Sequence, residues 1–269
     1  MFLEFKINSS NYKIDTINPL PISIPLDFHD GQPNAFGAPK ATAEAVETGK
    51  FVGDTRRGGS CNFEQYTFIP HCNGTHTESV GHISNERISI HNTLKDPFIP
   101  STLITVNLEN ATFSKENYKP DKGQDDMFIT KKAISDALRN SKQEFLNGLI
   151  IRTLPNDDSK KTRAYMKNPP PFFSLEAMEY ISGLGVQHLL VDLPSLDRTF
   201  DEGLLTAHRI FWGISPKTHH INKQNHSSKT ITEMIYVPDN VKDGEYILNL
   251  QIADFVADAS PSRPILFKV

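Results

Sequence analysis

Cysteine is almost absent: Cys61 and Cys72 are the only two in 269 residues. So few thiols cannot build a disulfide framework, and a reduced, cytoplasmic setting is the expectation. Long apolar runs are missing as well. No stretch reaches the roughly 18 apolar residues that mark a membrane span. The opening MFLEFKINSSNYKID carries no apolar run behind a positive flank, so no signal peptide is expected. Positive charge is not in excess either. A formal net charge of -4 gives no electrostatic reason to hold nucleic acid or an anionic membrane. No internal repeat is visible.

What remains is an ordinary globular composition, 38% hydrophobic and 22% charged. The length suits one large domain or two small ones. Strands are expected at Leu20 to Phe28, Phe63 to Pro70, Pro100 to Asn110, Gly148 to Leu154 and Val186 to Asp192, and in the C-terminal runs ITEMIYV and EYILNLQIA. The near-continuous apolar character of GLIIRTL and VQHLLVD suggests burial on both faces. Thr130 and Ser174 are placed to cap helices, the second ending at Gly183 or Gly185. Further helix is expected near Ala41 to Thr48 and from Asp201 to Trp212. Asp157 to Arg163 reads as a charged loop. The strand and helix alternation across Gly148 to Asp192 indicates an α/β domain.

Histidine is the unusual residue. Of ten, His71, His76 and His82 fall in one twelve-residue window, His-Cys-Asn-Gly-Thr-His-Thr-Glu-Ser-Val-Gly-His, together with Glu78. Imidazole and carboxylate are ligands for zinc and similar ions. Alone, any one of these is more often a solvated loop residue; clustered on a turn with Gly74 and Gly81, they point to a metal. His76, Glu78 and His82 share parity, so an extended path turns them to one side.

This window resembles the signature of the cyclase family of metal-dependent hydrolases, which runs His-x-Gly-Thr-His-x-Asp-x-Pro-x-His. Gly74-Thr75-His76, the acid Glu78 and His82 match it. PISIPLDF, GLIIRT, the helix after Ser174, VQHLLVDLPSLD, Ala207-His208-Arg209, Ile231-Thr232-Glu233 and Ser260-Pro261-Ser262-Arg263-Pro264 resemble later parts of the family in the same order. The resemblance covers about Pro21 to Val269. It implies a single domain over residues 1–269 with a mixed sheet, a swivelling β/β/α-like fold. It also implies a divalent metal, zinc first and manganese second, and a homodimer or homotetramer. The implied reaction is hydrolysis of a small amide, formamide or lactam, with His82 moving protons. His76 and Glu78 would bind metal, and His208 and Glu233 would complete a second position.

The departures are specific. The family's first histidine falls at Cys72, with His71 one residue earlier, so either supplies that ligand. An extra residue at Asn73-Gly74, absorbed through left-handed backbone, favours His71. Glu78 replaces aspartate and reaches one methylene further, and Val80 replaces proline. These changes motivate a competing expectation, a non-catalytic small-molecule or metal-binding protein on the same scaffold.

Elsewhere, His188 in its apolar strand reads as a satisfied core residue. Asp192, Ser195 and Asp197 read as turn chemistry or support for a site, with a structural or supporting role favoured for Asp192. His219, His220 and His226 read as solvated. The run Arg56 to Cys61 reads equally as an anion-binding loop or a surface turn. Phe211 and Trp212 read as core.

Overall fold

In the computed structural model, which describes residues 1–269 apart from positions 223 and 225, the apolar runs assemble into one nine-stranded mixed sheet. Its strands are β1 (Leu20–Pro21), β2 (His76–Glu78), β3 (Ile99–Val106), β4 (Gly148–Thr153), β5 (His188–Val191), β6 (Thr230–Glu233), β7 (Gly244–Asn249), β8 (Ala259–Pro261) and β9 (Ile265–Lys268). The order across the sheet is β8-β2-β6-β5-β4-β3-β7-β9-β1. The central strands β3, β4, β5 and β6 run parallel, and the flanking pairs are antiparallel.

GLIIRT and HLLV are buried throughout, as their composition requires. Leu149, Ile151, Leu189 and Val191 face one core with Ile134, Met178, Ile181 and Phe211. The alternate residues Ile150 and Leu190 face a second core with Ile22, Val237 and Leu248. The period of two in a strand splits each apolar run between both sides.

The helices of the first layer are Lys131–Ala137, capped by Thr130, and Leu175–Gly183, capped by Ser174. In each, the cap hydroxyl accepts from the backbone three residues on, a donor the first helical turn cannot satisfy. Gly185 follows at φ +81°, where a side chain would be strained.

Three expectations change. Ala41 to Thr48 is not helical: Thr42–Ala45 pairs with Glu64–Thr67 and Glu47–Thr48 with Phe51–Val52. The Leu20 to Phe28 strand shrinks to Leu20–Pro21 and one bridge at Ser23, since Pro21 and Pro25 cannot donate to a ladder. The helix expected from Asp201 begins only at Thr206. Before it, the Asp201 carboxylate holds a turn by accepting from the amides of Gly203 and Leu205. Of the polar stretch Ser215 to Lys229, positions 223 and 225 lie outside the described residues.

Candidate metal centre

The histidine window is neither a plain loop nor a plain strand. Pro70–Asn73 forms one helical turn, α1, entered by Pro70 at its first position. The chain then extends through Gly74 into β2. Gly74 sits at φ 179°, fully extended, so the left-handed bulge expected at Asn73-Gly74 is not what places His71. The helical turn does that. Successive residues in a helix point about 100° apart, so His71 and Cys72 do not aim at the same point. Cys72 belongs to none of the metal-compatible groups among the described residues. Burial, then the Glu233 charge, raises its thiol pKa further from the thiolate a ligand requires.

β2 is flanked by β6 and β8, so its side chains have neighbours on both sides. Glu233 lies opposite His76 in register. His76, Glu78 and Glu233 therefore share one face of the sheet, while Thr77 and Thr232 hydrogen-bond at 2.8 Å on the other. Strand parity does not deliver His82. A short turn, Val80–His82, does so, and Ser79 Oγ caps it by accepting from Gly81. That turn crosses the backbone of Ile88 closely: a Cβ on Gly81 would lie 2.0 Å from the Ile88 carbonyl oxygen. His208 enters from the helix Thr206–Trp212, which packs in the same layer as Leu175–Gly183.

The result is a convergence of imidazoles and carboxylates. His71 Nδ1 is 3.0 Å from Glu78 Oε2. His208 Nε2 is 3.1 Å from Glu78 Oε1 and 3.5 Å from Glu233 Oε1. His76 Nε2 is 3.5 Å from Glu233 Oε2. Three groups among the described residues have donor atoms close enough to hold an ion: His71 with His76 and Glu78, Glu78 with His208 and Glu233, and, further out, His71 with His82 and Asp258. Glu78 belongs to the first two, with one oxygen toward each, so the longer side chain still spans those positions. His76 Nε2 and Glu78 Oε2 are buried with no aligned hydrogen-bond partner. Orphaned buried polar atoms are costly and call for a partner.

The outer nitrogens are occupied. His76 Nδ1 donates to the Gly74 carbonyl at 3.0 Å. His208 Nδ1 donates to Asp197 at 2.6 Å, and Asp197 is fixed in turn by the amides of Ala207 and His208. A ligating histidine held this way presents its other nitrogen to the ion.

The electrostatics are those of a site with surplus negative charge. Burial opposes the charge on Glu78, but the His82 charge and the bonds from His208 and His71 hold its carboxyl well below the usual range. Burial would depress His208, yet bonds to Asp197, Glu233 and Glu78 raise it well above an ordinary imidazole. For His71 burial is again outweighed, here by bonds to Asp258 and Glu78, and its pKa is pushed up to about 10. A buried cluster that draws protons onto its histidines is also one that draws a cation.

Asp197 and Asp258 were not assigned to the site by sequence. Asp197 was left open between turn chemistry and support for a site, and Asp258, two residues before Ser260, was not singled out. Asp192, favoured for a structural or supporting role, has the structural one: it accepts from Thr153 and pairs with buried Lys160. His188 is structural, bonded to Thr230 Oγ1 at 2.9 Å. His219, His220 and His226 make other contacts outside the cluster, His219 to the Ile83 carbonyl, next to His82. Arg56 and Arg57 are paired with Asp54 and Glu47, so that run reads as a surface turn. Trp212 donates to the Lys229 carbonyl and its ring lies 5.3 Å from that of His208. It is core that also backs the site.

Residues 18–198 match the family model described as "Putative cyclase", and the chain belongs to that family. That span contains the histidine window and Asp197. His208, Glu233 and Asp258 lie beyond it. The kynurenine formamidase of Bacillus cytotoxicus is 26% identical over 212 residues, 78% of this chain and 82% of its own length. Isatin hydrolase A from Ralstonia solanacearum has a similar fold, with a TM-score of 0.61 at 12% identity over 94% of this chain and 92% of that one. A predicted metal-dependent hydrolase from Bacillus stearothermophilus gives a TM-score of 0.57 at 16% identity, over 93% and 98% of the two chains.

Proposed function

We propose that this protein is a metal-dependent hydrolase of a small formamide, amide or lactam. The observation that carries the reading is at the centre of the cluster: His76 Nε2 is buried with no hydrogen-bond partner, and Glu78 Oε2 is buried with only poorly aligned imidazole contact, His71 Nδ1 at 3.0 Å. Both atoms fit a divalent cation. His71, His76 and Glu78 would hold one ion, and Glu78, His208 and Glu233 a second. The mixture of imidazole and carboxylate favours zinc, with manganese next. A divalent ion held there would supply Lewis acidity, polarising a carbonyl oxygen and lowering the pKa of water to about 7.

The chain's own contribution is placement and proton transfer. His82 is the proton carrier. It is partly exposed, with Nδ1 3.5 Å from Asp258 Oδ2 and 3.9 Å from Glu78 Oε2. Facing Nδ1 to the carboxylates leaves Nε2 to take a proton from the attacking water and deliver it to the leaving nitrogen as the C–N bond breaks. Val80, Trp212 and Ala207 close the inner side of the site against water. Partial exposure of His82 and His71 leaves the outer side open, as catalysis requires and a closed structural site does not allow.

An aryl substituent on the substrate suits the surroundings. The segments that bring His71 and Asp258 inward also bring Phe68 and Phe255 together, ring centroids 6.5 Å apart and stacked. The formamidase and isatin hydrolase likenesses support the same substrate class.

The test is a hydrolysis assay on N-formyl arylamines and aryl lactams with the zinc- and manganese-loaded protein. His82→Ala is expected to keep its metal and lose roughly 10²–10⁴-fold in turnover. Undiminished turnover in that variant would remove His82 from the mechanism, and no hydrolysis of any amide by the loaded wild type would remove the reading.

A further inference from the structure

The imidazole of His71 is the most exposed member of the inner cluster, and it is set by a residue far away in sequence. Asp258 Oδ2 lies 2.9 Å from His71 Nε2, the nitrogen opposite the one that faces Glu78. The same oxygen lies 3.5 Å from His82 Nδ1. The two rings it touches are themselves adjacent, centroids 4.3 Å apart and tilted by 32°. One carboxylate thus meets both a metal-facing histidine and the proton carrier.

Asp258 is held firmly by its backbone. Its carbonyl accepts from the Ser79 amide at 2.9 Å, and the preceding Ala257 carbonyl accepts from Ile90 at 2.8 Å. The next residue, Ala259, opens β8 and pairs with Glu78 in register. The loop carrying Asp258 is therefore clamped to the strand that carries His76 and Glu78, and to the turn that carries His82. That fixes the backbone from which its carboxylate reaches the two rings. At the other end of the cluster Asp197 makes the equivalent contact with His208, and the Gly74 carbonyl with His76. His71 alone has a side chain from the C-terminal segment for this purpose.

We propose that Asp258 is a positioning residue: it fixes the His71 ring so that Nδ1 faces Glu78, and it steadies His82 beside it. The inference rests on the metal-dependent reading of the site. An acceptor on the outer nitrogen of a ligating histidine settles which nitrogen is left for the ion and how the ring is turned. On one helical turn at the edge of the site, His71 has little else to orient it.

The experiment is cobalt(II) binding to the metal-stripped full-length protein, by competition with a chromophoric chelator. The visible absorption of the bound ion reports its ligand geometry. Asp258→Ala is expected to bind cobalt(II) roughly 10–100-fold more weakly than wild type, with a changed absorption band. Asp258→Asn keeps an oxygen that can accept from His71 Nε2, and is expected to recover most of the affinity and the wild-type band. Thermal melts check folding, and Asp258→Ser repeats the truncation if the alanine variant does not fold. Wild-type affinity and spectrum in both truncations would overturn the proposal while leaving the metal site intact. Asp258→Asn as weak as Asp258→Ala would assign the effect to charge alone and overturn it too. Wild-type protein that binds no cobalt(II) would bring down the hydrolase reading and this inference together.

Discussion

Lys160→Met isolates a deeply buried ion pair outside the histidine cluster. Lys160 Nζ sits 2.7 Å from Asp192 Oδ2, with side chains 3% and 0% exposed. The ammonium also donates to the Thr153 carbonyl at 2.7 Å and to Thr153 Oγ1 at 3.0 Å. Methionine fills similar space but strands the Asp192 charge, which keeps only the amide and hydroxyl of Thr153 as donors. Removing one partner of such a pair costs about 3–5 kcal/mol. That is a large part of a domain stability of roughly 5–15 kcal/mol. The pH dependence has a definite sign. Burial raises the Asp192 pKa, and Lys160 and Thr153 only partly offset this. A carboxyl raised in the fold contributes stability below its unfolded value of about 3.9, and that contribution is lost as pH rises through the folded value. Without Lys160 the folded value rises further. The destabilisation should therefore be greatest at neutral pH and shrink in mild acid, where Asp192 becomes neutral. Urea unfolding of both proteins at the two pH values measures it. A difference below about 1 kcal/mol at neutral pH, the range of an exposed pair, would refute the reasoning. So would a difference that grows in acid.

Two further variants test the scaffold of the site. Gly81→Ala puts a methyl against the Ile88 carbonyl and must displace the turn carrying His82; a loss of about 1–3 kcal/mol or more in unfolding free energy is expected, and an unchanged melting temperature would contradict it. Thr75→Val removes a hydroxyl that donates to the Met234 carbonyl at 2.5 Å and accepts from the Ile24 amide at 2.8 Å. Stranding those buried groups costs about 1–3 kcal/mol each, read by denaturant unfolding, and a neutral substitution would show that they find other partners.

Much of the scaffold was legible because it is written locally. Thr130 and Ser174 are capping residues next to the helices they cap, and GLIIRT and HLLV announce their burial by composition alone. Ala41 to Thr48 was misread because its partner, Glu64–Thr67, lies some distance along the chain, and pairing rather than propensity decides it. The helix carrying His208 was started too early, at Asp201, whose carboxylate in fact closes a turn ahead of Thr206. In the site, the residue types of the ligands were visible as a cluster. Which atom of each faces inward was not, since that depends on a helical turn at His71 and a sheet register at Glu233. Asp197 and Asp258 escaped for a related reason: an acidic residue in a turn is common, and only the folded chain brings these two to imidazoles.

The central claim is that the histidine and carboxylate cluster holds a divalent metal. Elemental analysis of protein purified without chelator, for wild type and His76→Ala, tests it most directly. The account predicts one or two equivalents of zinc or manganese in the wild type, from the two groups that share Glu78, with at least one of them lost in the variant. A wild type that takes up neither metal, even after incubation with both, would contradict it.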